Sequence, residues 1–367
     1  MLHVFAGLDR GGAESMIMNI YRSIDRERLQ FDFAAKESGS EYAFEDEIKV
    51  LGGRVYRVPE LTGLNILSYA RTWDRLLKAH PEWGIVHAHD PATALIILGI
   101  AKMRLRVTVA HSHTCGGATP LRLAAKTAMC YPLRYIADHL FACSGMAARW
   151  MFGSGAKRAR IVKNAIELNR FAYNPETRSR KRSELGVRDR FVVGHVGRFS
   201  GEKNHARLVD VFELVHSRHG DAVLLLVGDG VLRDRIAGQV SVMGLSDSVI
   251  FAGERSDVPD LLQAMDVFVL PSLYEGLGVA VVEAQAAGLR CVVADAVPEE
   301  ARLTDLVEVV PLAEPDHVWA AEIVKWTGGY DRSINLELIA TQGYDVGQSA
   351  RLLEQFYLQE AGDRDVR

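Results

Sequence analysis

The sequence predicts an α/β protein of two doubly wound parallel sheets, one following the other along the chain. Three observations carry that expectation. Short Val/Ile/Leu-rich runs alternate with longer stretches of helical periodicity from one end to the other, the pattern of βαβ units. A chain of 367 residues is too long for one core and suits two domains of roughly 150–200 residues each. Once only, over residues 170–190, a polar and basic stretch breaks the alternation, which puts the boundary near residue 170.

Composition narrows the class. Hydrophobic residues at 48% and charged residues at 25% fit a water-soluble globular protein. No apolar run approaches the roughly 20 residues that span a bilayer, and no signal peptide precedes the first strand. Cys115, Cys130, Cys143 and Cys291 form no C-x-x-C pair, so neither a disulfide framework nor a zinc site is expected. The expected location is the cytoplasm. The net charge of −4 hides a split: residues 1–190 carry 29 Lys/Arg against 19 Asp/Glu, and the remainder 14 against 28. Such asymmetry suggests that the first half faces something anionic. No aromatic residues interleave with the basic ones, which speaks against nucleic acid. That leaves peripheral contact with the inner face of an anionic membrane, or a plain solvated surface.

Residues 1–8 read as the first strand. Asp9-Arg10-Gly11-Gly12 ends it and opens a helix through Tyr21. A glycine pair at a strand-to-helix turn lets a ligand approach the backbone, although a tight turn alone would use the same residues. Gly7, Gly11 and Gly12 do not make the G-x-G-x-x-G of a dinucleotide site. Strands follow at 31–35, 54–58, 85–88 and 107–110, with helices at 65–79 and 91–102. Ligands gather at the carboxyl ends of such strands, where two histidine pairs fall, His87/His89 and His111/His113. Their spacing is expected to turn the members of each pair to opposite sides, so that each pair offers one imidazole to the site. No further ligands follow at metal spacing, and no metal is expected.

Residues 119–137 combine an apolar stripe (Leu121, Ala125, Ala128, Met129) with Arg122, Lys126 and Arg134, which suits either an anionic bilayer interface or packing on the core. Beyond the boundary a short helix ends at Gly186 and the alternation restarts, with strands at 191–197, 222–227, 249–252 and 290–293 and helices at 205–218, 231–243 and 258–264. Gly228-Asp229-Gly230 closes a strand but lacks the third glycine of a dinucleotide fingerprint. Asp257 and Asp260 read as a helix cap and an exposed face. Asp363 and Asp365 make a D-x-D pattern by chance at a frayed end.

The stretch 270–288, LPSLYEGLGVAVVEAQAAG, carries the chemistry. It reads as a buried strand ending at Pro271, a turn, and a helix beginning near Gly278. Gly276, Leu277 and Gly278 form the entry to that helix, whose bare N–H groups and dipole attract anions. Glu275 lies in the turn and Glu283 on the first exposed turns of the helix. Neither carboxylate is a phosphate ligand, and both suit the hydroxyls of a sugar or ribose. Phosphate held by backbone and hydroxyls held by carboxylates describe a nucleotide-sugar site. Gly197-Arg198-Phe199-Ser200-Gly201-Glu202-Lys203-Asn204 follows another strand, and its two cations with a helix end can neutralise a diphosphate without a metal. Two surface cations are the plain alternative.

In this strand–turn–helix setting the glutamate pair resembles the signature of retaining glycosyltransferases of family 4, which have the GT-B fold, two Rossmann-like domains with a cleft between them. GGAESMIMNIYR, KNAIELNRF and HVGRFSGEKNH occur in the family's order, and the likeness to its capsule and exopolysaccharide branch covers almost the whole chain. Residues 161–166 resemble the family's strand before the interdomain linker, with Ala165 in place of a glycine common in the family, as in that branch. The resemblance implies an acceptor-binding domain at 1–170, a nucleotide-sugar-binding domain at 171–345, and a C-terminal helix within 346–367 that crosses back to the first domain. It implies that Glu283 binds ribose, Glu275 the donor sugar, and Arg198 and Lys203 the diphosphate. Gly11 and Gly12 would lie over the diphosphate and acceptor, and the loop about Glu254 would receive the base. His111 aligns with the family's strand-end histidine near the donor sugar, with His113 as the alternative. His89 and His113 would serve the acceptor side. Relatives begin a few residues earlier, so a truncated or late start is expected.

The resemblance thus implies a cofactor-free, metal-independent retaining glycosyltransferase that uses a nucleotide-sugar, a UDP-sugar in this branch, and a glycan or lipid-linked acceptor in surface polysaccharide biosynthesis. No side chain is placed as a covalent nucleophile, so front-face displacement is expected, with a phosphate oxygen of the leaving group taking the acceptor's proton. The alternatives are a GT-B sugar-nucleotide epimerase or hydrolase and a nucleotide-sugar-binding protein without turnover.

Overall fold

The structure is a computed structural model that describes residues 1–113 and 129–365. It comprises two compact units, Met1–Ile166 with Gly343–Arg367, and Glu167–Gln342.

The first unit is built on β1 (Leu2–Val4), β2 (Asp32–Lys36), β3 (Val55–Val58), β4 (Ile85–Ala88), β5 (Val107–Ser112), β6 (His139–Ala142) and β7 (Arg160–Ile161). All pairings are parallel, in the order β3-β2-β1-β4-β5-β6-β7. The order reverses between β1 and β4, and in doubly wound sheets ligands bind at the carboxyl ends of the strands beside that reversal. The helices Gly12–Ser23 and Val346–Asp365 cover one face, burying Met16, Ile17, Leu353 and Tyr357 against Phe31, Phe33 and Phe141.

The second unit repeats the plan with β8 (Val192–Val196), β9 (Val223–Val227), β10 (Val249–Gly253), β11 (Val267–Leu270), β12 (Arg290–Ala294) and β13 (Val307–Val310), ordered β10-β9-β8-β11-β12-β13. Its reversal lies between β8 and β11. Every residue of β9 and β11 is buried, as continuous Val/Leu/Phe runs must be when helices cover both faces of a parallel sheet.

Several expectations change. The first strand is three residues long, not eight, and of the strand expected at 161–166 only Ile161 joins the sheet. The strands β6 and β13 and the helices Gly145–Phe152 and Asp316–Val324 were not anticipated. The basic stretch near the boundary forms the helix Pro175–Glu184, capped by Asn174, within the second unit, where a short helix ending at Gly186 is expected. Its cations are spent internally, Arg178 and Arg182 on Asp266, Lys181 on Asp257 and Arg180 on Asp260. Counted by unit, the balance becomes 25 Lys/Arg against 20 Asp/Glu in the first and 18 against 27 in the second, a smaller asymmetry than that of the earlier division.

Leu121, Arg122, Ala125, Lys126 and Ala128 lie outside the described residues, as do the side chains of Asp363 and Asp365. Arg134 is buried, its guanidinium 3.8 Å from the Tyr131 ring and its Nη1 2.8 Å from Ser154 Oγ, so it packs the domain and does not face a membrane. Among the described residues no helix is long and apolar enough to cross a membrane.

Candidate functional site

In the second unit two loops leave the reversal point. The loop after β8 runs through Arg198, makes a 3₁₀ turn at Gly201–Lys203, and enters the helix His205–Arg218 by way of Asn204 in the left-handed region (φ 56°). The loop after β11 passes Glu275 and enters the helix Val279–Ala286 through Gly278, whose φ of +83° is strained for any residue with a Cβ. Gly278, the N-cap residue, has no side chain with which to cap this helix. Three bonds stitch the loops together: Leu273 N–H to the Glu202 carbonyl at 2.8 Å, Asn204 Nδ2 to the Pro271 carbonyl at 3.1 Å, and Lys203 Nζ to Glu275 Oε1 at 2.6 Å.

Gly228-Asp229-Gly230 has its reason here. A Cβ on Gly228 would fall 2.2 Å from the Gly197 carbonyl oxygen, and one on Gly230 would fall 2.6 Å from that of Phe199. The bare backbone lets the loop after β9 brace the loop after β8, sealed by Phe199 N–H to the Asp229 carbonyl at 2.9 Å.

Lys203 therefore does not stand as an independent cation. It is paired with Glu275, which is 9% exposed and whose Oε1 also accepts from Ser272 Oγ at 2.7 Å. Among the described residues no hydrogen bond reaches Glu275 Oε2. Arg198 is exposed on the same loop and has no ion-pair partner among the described residues. Glu283 departs from expectation: it is half-buried, its carboxylate meets no donor or counter-charge among the described residues, and desolvation pushes its pKa up to about 7. Glu254 is exposed on the loop after β10. Asp257 does not cap its helix; its carboxylate binds Arg255 at 2.7 Å through both oxygens and Lys181 at 2.9 Å.

Sequence reasoning did not single out Ser272 or His195. His195 is buried in β8, with Nδ1 2.8 Å from the Val269 carbonyl and Nε2 without a partner among the described residues. Its place inside the HVGRFSGEKNH motif was the available signal.

In the first unit the reversal point carries histidines. The register pairs His3 with His87 and His87 with Val109, and each strand then continues two residues further, to His89 and His111. Side chains at i and i+2 share a face, so both histidine pairs and His3 lie together, and the expectation that each pair divides is wrong. His3 Nδ1 lies 2.9 Å from His89 Nε2, His89 Nδ1 2.9 Å from His113 Nε2, and His87 Nε2 3.2 Å from His111 Nδ1. Burial, reinforced by mutual repulsion, holds His87, His89 and His111 well below the ordinary imidazole pKa, and burial pushes His113 down to about 3. The cluster is neutral at physiological pH. Ring nitrogens of His3, His87 and His89, and of His89, His111 and His113, lie within 4.8 Å of one another, near enough to share a metal ion. Spacing along one strand could not show this, because three strands assemble it. Gly11 caps the helix Gly12–Ser23 beyond β1, and Gly12 is exposed at its first turn.

Residues 10–170 match the family described as Glycosyltransferase Family 4, and residues 177–305 the family described as Glycosyl transferases group 1. EpsF of Bacillus subtilis (strain 168), which bears a glycosyltransferase name, is 35% identical over 368 residues, covering 97% of this chain and 96% of that protein. A UDP-Gal:alpha-D-GlcNAc-diphosphoundecaprenol alpha-1,3-galactosyltransferase of Escherichia coli is 26% identical over 303 residues, covering 77% of this chain and 76% of its own. Among solved structures, Anabaena Alr3699/HepE in complex with UDP and glucose superposes with a TM-score of 0.79 at 21% identity, over 97% of this chain and 98% of that one. That likeness concerns the fold, two parallel-sheet α/β units of the GT-B type.

Proposed function

This chain belongs to glycosyltransferase family 4, and from that premise we propose that it moves a sugar from a UDP-sugar to a lipid-linked glycan acceptor in surface polysaccharide synthesis, with retention of configuration and without a metal. The observation that carries the donor site is Glu283, a desolvated carboxylate without a partner among the described residues, on a helix whose N-terminus, at Gly278, follows Glu275. Burying such a group costs free energy unless a ligand supplies the missing donors. Ribose hydroxyls are donors of that kind. The helix N-terminus, Arg198 and the tethered Lys203 would take the diphosphate, and Glu275 Oε2 a hydroxyl of the transferred sugar. As the bond to the sugar breaks, charge grows on the departing diphosphate, and fixed cations that meet that charge lower the barrier.

The choice of UDP and of a lipid-linked acceptor is supported by what the names of the Escherichia coli and Anabaena relatives state of those proteins. Contact with an anionic membrane belongs to the same proposal, since a lipid-linked acceptor resides there. The test is transfer of labelled sugar from UDP-sugars to undecaprenyl-diphosphate-linked acceptors, with and without a chelator, and the product's anomeric configuration read by NMR. Retained configuration and chelator-resistant transfer are expected. Release of free sugar regardless of acceptor, or epimerised nucleotide sugar, would replace this reading with a hydrolase or an epimerase.

A further inference from the structure

A buried line of hydrogen bonds runs from the C-terminal helix to His111. Tyr357, on the helix Val346–Asp365, is fully buried and its hydroxyl lies 2.7 Å from His87 Nδ1. His87 Nε2 lies 3.2 Å from His111 Nδ1. The two rings have centroids 5.2 Å apart and planes inclined by 21°. The remaining nitrogen, His111 Nε2, is buried and has no partner among the described residues.

Counting protons fixes the direction of this line. A buried hydroxyl must donate its proton, and the acceptor that Tyr357 meets among the described residues is His87 Nδ1. Were that nitrogen protonated, the tyrosyl proton would be stranded. His87 Nδ1 therefore accepts, and in a neutral ring the proton sits on Nε2. That proton points at His111 Nδ1, which must accept in turn, leaving the proton of His111 on Nε2. Burial keeps both rings neutral, which removes the doubly protonated alternative.

We propose that Tyr357 and His87 are positioning residues that lock His111 as the Nε2–H tautomer, making it a hydrogen-bond donor toward a ligand oxygen at the carboxyl end of β5. The tautomer follows from geometry alone; that the ligand is a sugar hydroxyl rests on the function proposed above. A locked donor can hold a hydroxyl or a developing negative charge but cannot remove a proton. The acceptor's proton is then left to a phosphate oxygen of the departing diphosphate.

The experiment is a two-bond ¹H–¹⁵N correlation on ¹⁵N-histidine-labelled protein near neutral pH, with His87 and His111 assigned through His87→Gln and His111→Gln. Both rings are expected as Nε2–H in the unaltered protein. In Tyr357→Phe, His87 should move to Nδ1–H or to a mixture, and His111 should follow, while the aliphatic methyl spectrum shows the fold intact. Transfer should fall by at least about ten-fold in Tyr357→Phe and in His87→Leu through kcat, and His87→Gln, whose amide can accept and donate at once, should recover part of it. His111 as Nδ1–H in the unaltered protein would overturn the proposal, and so would tautomers unchanged in Tyr357→Phe. If no transfer is detectable in any form, the functional reading fails and the spectra still decide the tautomer.

Discussion

Replacing Lys203 by Met is expected to lower stability by about 2–4 kcal/mol and to slow transfer by at least roughly a hundred-fold. The stability loss comes from Glu275. Its side chain is 9% exposed and that of Lys203 18%, so removing the ammonium leaves a carboxylate in poor contact with water, answered by the Ser272 hydroxyl. Breaking a buried pair from one side costs more than the pair is worth, because the surviving charge stays desolvated. The double variant Lys203→Met/Glu275→Gln should therefore regain most of the stability, since no buried charge remains. It should not regain activity, since both groups proposed to meet the donor are gone. Urea unfolding and transfer rates on the three proteins check this. A single variant as stable as the parent would show that the bond at 2.6 Å does not couple the two loops.

Donor affinity is expected to rise with pH up to about 7 and then level, and Glu283→Gln should abolish that slope. The carboxyl of Glu283 is raised from an ordinary value of 4.5 to about 7 by desolvation. Below about 7 it is protonated in the free protein, and it accepts from ribose hydroxyls best when ionised. Binding then releases a proton, and affinity should fall by up to roughly ten-fold for each pH unit below the pKa. A UDP-sugar is the right probe, because its diphosphate is fully ionised across this range and adds no slope. The stability of the ligand-free protein carries the opposite sign. Between pH 4.5 and about 7 the folded state keeps a proton that the unfolded chain has lost, so this group's contribution is present at low pH and is lost as pH rises through the folded pKa. The loss is at most about 3 kcal/mol, and Glu283→Gln should remove it. Calorimetric titration at several pH values measures the affinity slope, and a flat profile in the parent protein would place the donor's hydroxyls elsewhere.

Local features of the chain were the legible ones. The helices His205–Arg218 and Val258–Ala264 and the strand β4 stand where periodicity put them, because each is a continuous run whose burial pattern shows in its own residues. The strands β6 (HLFA) and β13 (VEVV) were not anticipated from their own four residues. The same division holds in the sites. Glu275, Gly278 and Glu283 lie in one stretch, so turn and helix chemistry revealed them. The Lys203–Glu275 bond joins residues 72 apart, and the bonds of the histidine cluster span 24 and 86 residues. Such pairs exist only once the order of the strands is known. The misjudged facing of the histidine pairs was a fault of parity, since residues two apart on a strand point the same way. The ion pairs of the basic helix were hidden for a similar reason: their partners Asp257, Asp260 and Asp266 lie some 80 residues ahead.

The most direct test of the donor site is the thermal stability of the protein, and of its Arg198→Ala and Glu283→Gln variants, against UDP-, GDP-, ADP- and TDP-sugars. Saturation at 100 times Kd corresponds to about 2.7 kcal/mol of stabilisation. The account predicts a rise with UDP-sugars in the presence of a chelator, and a smaller rise or none in either variant. Absence of any rise across the panel, or a rise that both variants retain in full, would contradict it.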